Sequence, residues 1–235
     1  MRIDSSGAVR FLGAMRFLFL LALLAGSAFA AVPPALETAL ASFRTEGARN
    51  WSFTQTTKGE GRSRVETYDA AKPDFERWTL LQENGRAPTA DELQDYREKL
   101  SRRSRGGTAP RLADQLDLTT VETLSDTPER ATYRCKLKPG ETGDRTAEHL
   151  LATIVLHKPT GTIELFSLAA TGPFSPAFGV HIEEMNTTMR YSLPAGDQPS
   201  FLLESSTRLR GRAFMVKSLD ADLTVTFTDH HKPRK

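Results

Sequence analysis

Residues 179–193 read GVHIEEMNTTMRYSL, and their side chains alternate in character. Val180 and Ile182 share one parity. Past Glu183 and Glu184 the parity shifts, and Met185, Thr187, Met189, Tyr191 and Leu193 continue the apolar side. His181, Asn186, Thr188, Arg190 and Ser192 form the other side. Period-two alternation with a one-residue slip is the pattern of a long, half-buried strand carrying a β-bulge. A bulge bends its strand, so this stretch predicts a curved sheet with a concave, apolar surface.

The same alternation recurs along the chain. Strands are expected at 50–57, 62–70, 74–83, 118–124, 130–138, 150–157, 162–169, 201–207, 209–217 and 220–229, separated by Gly, Pro, Asn or Asp signals such as Lys58–Gly61, Asn84 with Gly85, and Lys158 to Gly161. Helical spacing is confined to two places. Leu36, Leu40 and Phe43 fall on one face of a helix that Gly47 ends. Thr89 and Glu92 form a T-x-x-E capping box ahead of Ala90, Leu93, Tyr96 and Leu100, which predicts an amphipathic helix over 90–103. A short helical turn is expected at 112–116. The segment from His230 onward is polar and expected to fray. Strands outnumber helices, so the fold expected is mainly β (α+β), an antiparallel sheet with two or three helices on one side.

Residues 16–30 read RFLFLLALLAGSAFA: one Arg, an apolar run, then Ala28, Phe29 and Ala30. This is a secretory signal with an A-x-A site, predicting a signal peptide over 1–30, cleavage after Ala30 and a single domain over 31–235. The run is short for a span of ~20 residues, though an uncleaved anchor is the alternative reading. Met15 offers a second start. Cleavage removes Arg2, Arg10 and Arg16 from 31 basic side chains and Asp4 from 29 acidic ones, so the two signs then balance. A neutral chain argues against nucleic acid as a partner. Cys135 is the lone cysteine, which rules out an internal disulfide and leaves core burial to hold the domain. The location expected is the periplasm.

The chemistry-bearing motifs are few. There is no G-x-S-x-G, H-E-x-x-H, C-x-x-C or phosphate loop, and no cofactor or metal is expected. The Glu183 and Glu184 pair sits at the slip and reads as a solvated bulge. The five histidines have no zinc spacing. Cys135 shares a parity with Tyr133 and Leu137, as a buried small hydrophobe would. Arg102, Arg103, Arg105 and Arg111 cluster at a helix end and loop; they are either a solvated run or a patch for an anionic head group or partner. Met185 and Met189 offer adaptable apolar surface, suited either to a core or to a binding face.

Several stretches resemble the LolA/LolB-like family of periplasmic lipoprotein carriers. Trp51, Ser52, Phe53, Thr54 and Gln55 are similar to the family's S-F-x-Q first strand. Lys72, Pro73, Asp74, Phe75, Glu76, Arg77 and Trp78 resemble its R-P-x-x-F-x-W segment, with Lys72 in place of Arg. The stretch 209–228 resembles its last strands, and the capped helix at 90–103 departs from the pattern. The resemblance implies an incomplete antiparallel β-barrel, a half-barrel, with two or three helices capping its concave face. It implies an apolar cavity lined by Trp51, Phe53, Trp78, Leu80, Ile154, Leu156, Val180, Ile182, Met185 and Met189. The function expected on that basis is non-catalytic: a soluble carrier for an acyl chain, lipid or lipoprotein, exchanging with inner- or outer-membrane transport components. The alternative is an envelope interaction or sensor module whose core is filled.

Overall fold

A computed structural model describes residues 32–44, 50–103, 111–139, 146–214 and 216–233, without the side chains of Arg102 and Arg103. The predicted signal peptide lies outside the described residues.

The chain runs β1 (Ser52–Gly59), β2 (Arg62–Tyr68) and β3 (Trp78–Glu83) after a first helix, α1 (Pro34–Ser42). Then come α2 (Ala90–Arg103), α3 (Leu112–Gln115), β4 (Leu116–Asp126), β5 (Arg130–Leu137), β6 (Leu150–His157) and β7 (Thr162–Ala170). The last part is β8 (Phe174–Ala177), β9 (Val180–Tyr191), β10 (Leu202–Ala213), β11 (Lys217–Ser218) and β12 (Ala221–His231). All strands join one sheet in the order β3-β2-β1-β12-β10-β9-β7-β6-β5-β4, with β8 beside β9 and β11 beside β10. Every pairing is antiparallel. The sheet is open, with β3 and β4 at its ends. It is the incomplete antiparallel barrel expected, with helices on one face.

The bulge falls where the alternation slips. Gly211 of β10 faces Ile182, and the next residue back, Arg210, faces Glu184. Glu183 is therefore the extra residue, and Ile182 and Met185 stay on one face. The position opposite must be small: a Cβ on Gly211 would stand 2.5 Å from the His181 carbonyl oxygen.

Register carries one face across the whole sheet. Ile154, Phe166, Met189, Ser205, Val225, Thr57 and Arg64 form one row over β6-β7-β9-β10-β12-β1-β2. Directly paired residues share a face, so this row traces the concave side. At the β5-β6-β7 end that side is dry. Tyr133, Cys135, Ala152, Ile154, Leu156 and Phe166 pack under Leu36 and Leu40 of α1 and Leu112 of α3. At the other end α2 lies over β2 and β3 on the same face, with the Arg64 guanidinium 5.8 Å from the Tyr96 ring centre. The capping box starts α2 as expected: the Thr89 amide donates to Glu92 Oε2 (2.7 Å) and the Glu92 amide to Thr89 Oγ1 (3.3 Å).

The first helix closes at Ser42, with Phe43 extended as its C-cap, and Gly47, expected to end it, lies outside the described residues. Three further expectations change. The strand expected from residue 74 begins at Trp78, because residues after Pro73 turn instead, the Glu76 amide donating to the Pro73 carbonyl at 2.8 Å. The strands expected at 201–207 and 209–217 merge into one strand, β10, that ends at Ala213, since Arg208 keeps the alternation and points to the convex side toward Asp222, while Lys217 opens β11. His230 and His231 belong to β12 rather than to a frayed tail, held by the stacking of His230 on Phe201.

Candidate apolar binding site on the concave face

The ten residues implied as a cavity lining fall in three places. Ile154 and Leu156 are fully buried (0% exposed) and touch packed neighbours of the α1-covered core, where they meet no open lumen. Met189 packs at the edge of that core, and the Tyr191 hydroxyl lies 3.4 Å from its sulfur. Val180 and Ile182 sit at the far end of β9. Ile182 pairs with Phe174 of β8, a strand the alternation did not reveal. Met185 lies between them, beside Leu209 and, beyond it, Ala221.

The remaining four gather at the β1-β2-β3 end. Phe53, Tyr68 and Trp78 stand directly opposite one another on three adjacent strands. Phe53 stacks on Tyr68 with ring centres 5.0 Å apart and meets Trp78 edge-on at 5.7 Å. Phe227 approaches Phe53 at 5.6 Å. Trp51 lies further along, edge-on to Phe201 at 4.9 Å, with the Lys232 ammonium 5.4 Å from its ring centre. Such offset and edge contacts are favourable arrangements for aromatic pairs. Leu80 is buried beneath α2.

Two adjoining clefts open here. One, of about 460 Å³, runs between β3 and α2 over Trp78, Leu80, Leu93, Tyr96 and Leu100. The other, of about 390 Å³, lies over Gln55, Glu66, Tyr68 and Trp78 and shares Asp74, Trp78 and Leu100 with the first. Volumes of this size are those of small-molecule sites. Between these clefts and the α1-covered core the concave face is only half-covered, and Leu223 is 42% exposed there. Thr187 and Thr207 share a hydrogen bond of 3.1 Å in the same strip.

None of the polar groups at this end was expected as lining, although Gln55, Asp74 and Arg77 lie in the two motifs quoted above. Glu66 is 4% exposed and accepts a hydrogen bond from Gln55 Nε2 at 3.1 Å. Arg64 donates to Glu83 at 2.7 Å, and that bond, together with the nearby carboxylates of Glu83 and Glu66, raises the guanidinium's pKa against the opposing pull of burial. Arg77 is held by the Lys72 carbonyl (2.9 Å), Asp74 (2.8 Å) and the Tyr68 hydroxyl (3.3 Å). Burial depresses the His230 imidazole below its usual pKa, with His231 adding to the effect and Asp229 opposing it. Glu66 and Tyr68 share a parity on β2, but a strand so rich in polar residues gives no reason to expect that face to be inward.

Elsewhere, Cys135 is buried and its thiol is pushed up to about 11, chiefly by desolvation, so it lacks the thiolate character of a nucleophile. Arg111 pairs with Asp114 at 3.1 Å. Arg105 and the side chains of Arg102 and Arg103 lie outside the described residues.

No protein-family model matches this chain, and no curated protein matches it. A solved structure, an isomerase-inactive variant of GphF DH1, aligns over 86% of this chain and 80% of its own at 13% identity, with a TM-score of 0.16. At that score the overlap bears on neither fold nor chemistry.

Proposed function

We propose that this chain is a non-catalytic carrier or binding protein of the periplasm that receives an acyl chain, as a lipid or an acylated protein, on the concave face of its half-barrel. The observation that supports this reading is the unequal cover of that face. One end is packed beneath α1 and α3, with a smaller cleft of about 280 Å³ at the rim of α1, while the other keeps two larger aromatic-floored clefts and a half-exposed apolar strip. The Trp51 to Gln55 and Lys72 to Trp78 motifs, on which the resemblance to LolA/LolB-like carriers rests, border those clefts. A chain buried there gains ~0.8 kcal/mol per CH₂, so useful affinity needs no covalent step.

Displacement of a fluorescent fatty acid tests the reading. Met185→Glu and Leu223→Glu each place a charge in the half-covered strip and are expected to weaken binding at least about tenfold, while circular dichroism stays that of the parent. Unchanged affinity in both variants excludes the strip as the binding surface. The full packing around Ile154 and Leu156 favours a second reading, an interaction module with a filled core. Native mass spectrometry separates the two: co-purified lipid supports the carrier, and an empty protein that also fails to take up both added fatty acid and added long-chain alcohol supports the module.

A further inference from the structure

Among the described residues, Glu66 is the charged side chain most completely withdrawn from water, and it lines a cleft. A carboxylate in such a place is costly unless it is paired. Gln55 supplies one neutral donor, and among the described residues no cation lies within ion-pair distance of Glu66. The nearest guanidiniums are committed elsewhere. Arg64 bonds Glu83 and reaches Glu66 only through space, and Arg77 neutralises Asp74. Among the described residues, the charged groups that line this cleft are Glu66 and Asp74 against Arg77, and Glu66 is the buried member.

The walls suit a cation as well. Tyr68 and Trp78, with ring centres 5.2 Å apart at 62°, border the same space as Glu66. Aromatic faces attract ammonium and guanidinium groups, and Arg77 already lies 5.9 Å from the Tyr68 ring centre. Past Trp78 and Leu100 the space continues into the apolar cleft beneath α2.

We infer that Glu66 is the polar anchor of the ligand site and that the ligand is an amphiphile bearing a primary amine. The ammonium sits between the Glu66 carboxylate and the Tyr68 and Trp78 rings, and the alkyl chain runs under α2 across Leu80, Leu93 and Leu100. The assignment rests on the concave-face reading above and adds the head-group chemistry to it.

Calorimetric titration with decylamine and decanol, each below its aggregation limit at neutral pH, tests the inference on the whole protein. Decylamine is expected to bind about tenfold or more tightly than decanol, and Glu66→Gln to erase that ratio. The wild-type ratio stands by itself if the variant does not fold. Trp78→Leu, which removes one aromatic wall, is then expected to lower the ratio several-fold. Equal binding of the two ligands, or a preference that survives Glu66→Gln, overturns the amine assignment and leaves the carrier reading intact. Binding of neither ligand overturns both.

Discussion

Ile154 and Glu66 lie on the same face of the same sheet, both nearly without solvent exposure, and they are buried for opposite reasons. Ile154 stands in the middle of a dry stack. Tyr133 and Phe166 flank it on β5 and β7, and α1 closes over the top. Glu66 stands between Gln55 and Leu80, roofed by α2, with a polar neighbour on one side and an open cleft beside it. The first end stabilises the fold by removing apolar area from water. The second holds a polar group out of water where a cleft meets it, an arrangement that contributes little stability and is available for recognition. Half-covering the sheet thus gives its two ends different surroundings.

The largest effect expected lies at the dry end. Leu156→Ala should cost about 2–5 kcal/mol in urea unfolding, since the removed atoms leave a hole among fully packed neighbours. Leu223→Ala, in the half-covered strip, should cost only about 0.5 kcal/mol. Equal losses at the two positions would erase the contrast between the ends. Next comes Gly211→Ala, at the bulge opposite Ile182. The added Cβ meets the His181 carbonyl oxygen rather than a movable side chain tip, so a loss of about 1–3 kcal/mol is expected in the same assay. A neutral result would mean that the two strands part there without cost.

The smallest effect is a pH dependence at the open end. His230 is half-buried between Phe201 and Phe53, and its folded pKa lies below the unfolded value near 6.5. The unfolded chain therefore binds the proton more readily. The contribution is complete above the unfolded pKa and declines as pH falls through the folded one. Unfolding midpoints at pH 7.5 and 5.5 should show this loss, and His230→Phe should reduce it. An unchanged pH slope in that variant would assign the effect to other groups.

Much of the local structure was legible from residue order. Period-two alternation located β6 and β9, and its slip located the bulge at Glu183. The T-x-x-E pattern located the start of α2. The parity that put Cys135 with Tyr133 matched its burial. What escaped was anything that depends on a distant strand. β8 is four residues long and is defined by pairing with β9, so its own pattern is too short to read. Arg208 looked like a break in β10 because its partner, Asp222, is supplied by β12. Of the residues that border the two clefts, Trp78 and Leu80 were among the expected lining, whereas Gln55, Glu66, Tyr68 and Tyr96 were not. Polar and amphipathic side chains carry no sign in the sequence of which face will be enclosed.

Residues 179–193 show where that division lies. The alternation alone determined that this stretch is a long strand, bent at Glu183, with Met185 and Met189 on its inner side, because side-chain direction in a strand follows from the backbone itself. Only the tertiary structure decided what each inner residue meets. Met189 is drawn under the core by Tyr191, while Met185 faces the half-covered strip beside Leu209. The cover comes from helices far away in the chain, and whether a helix reaches a given row of the sheet is a matter of long-range packing, which no local pattern encodes.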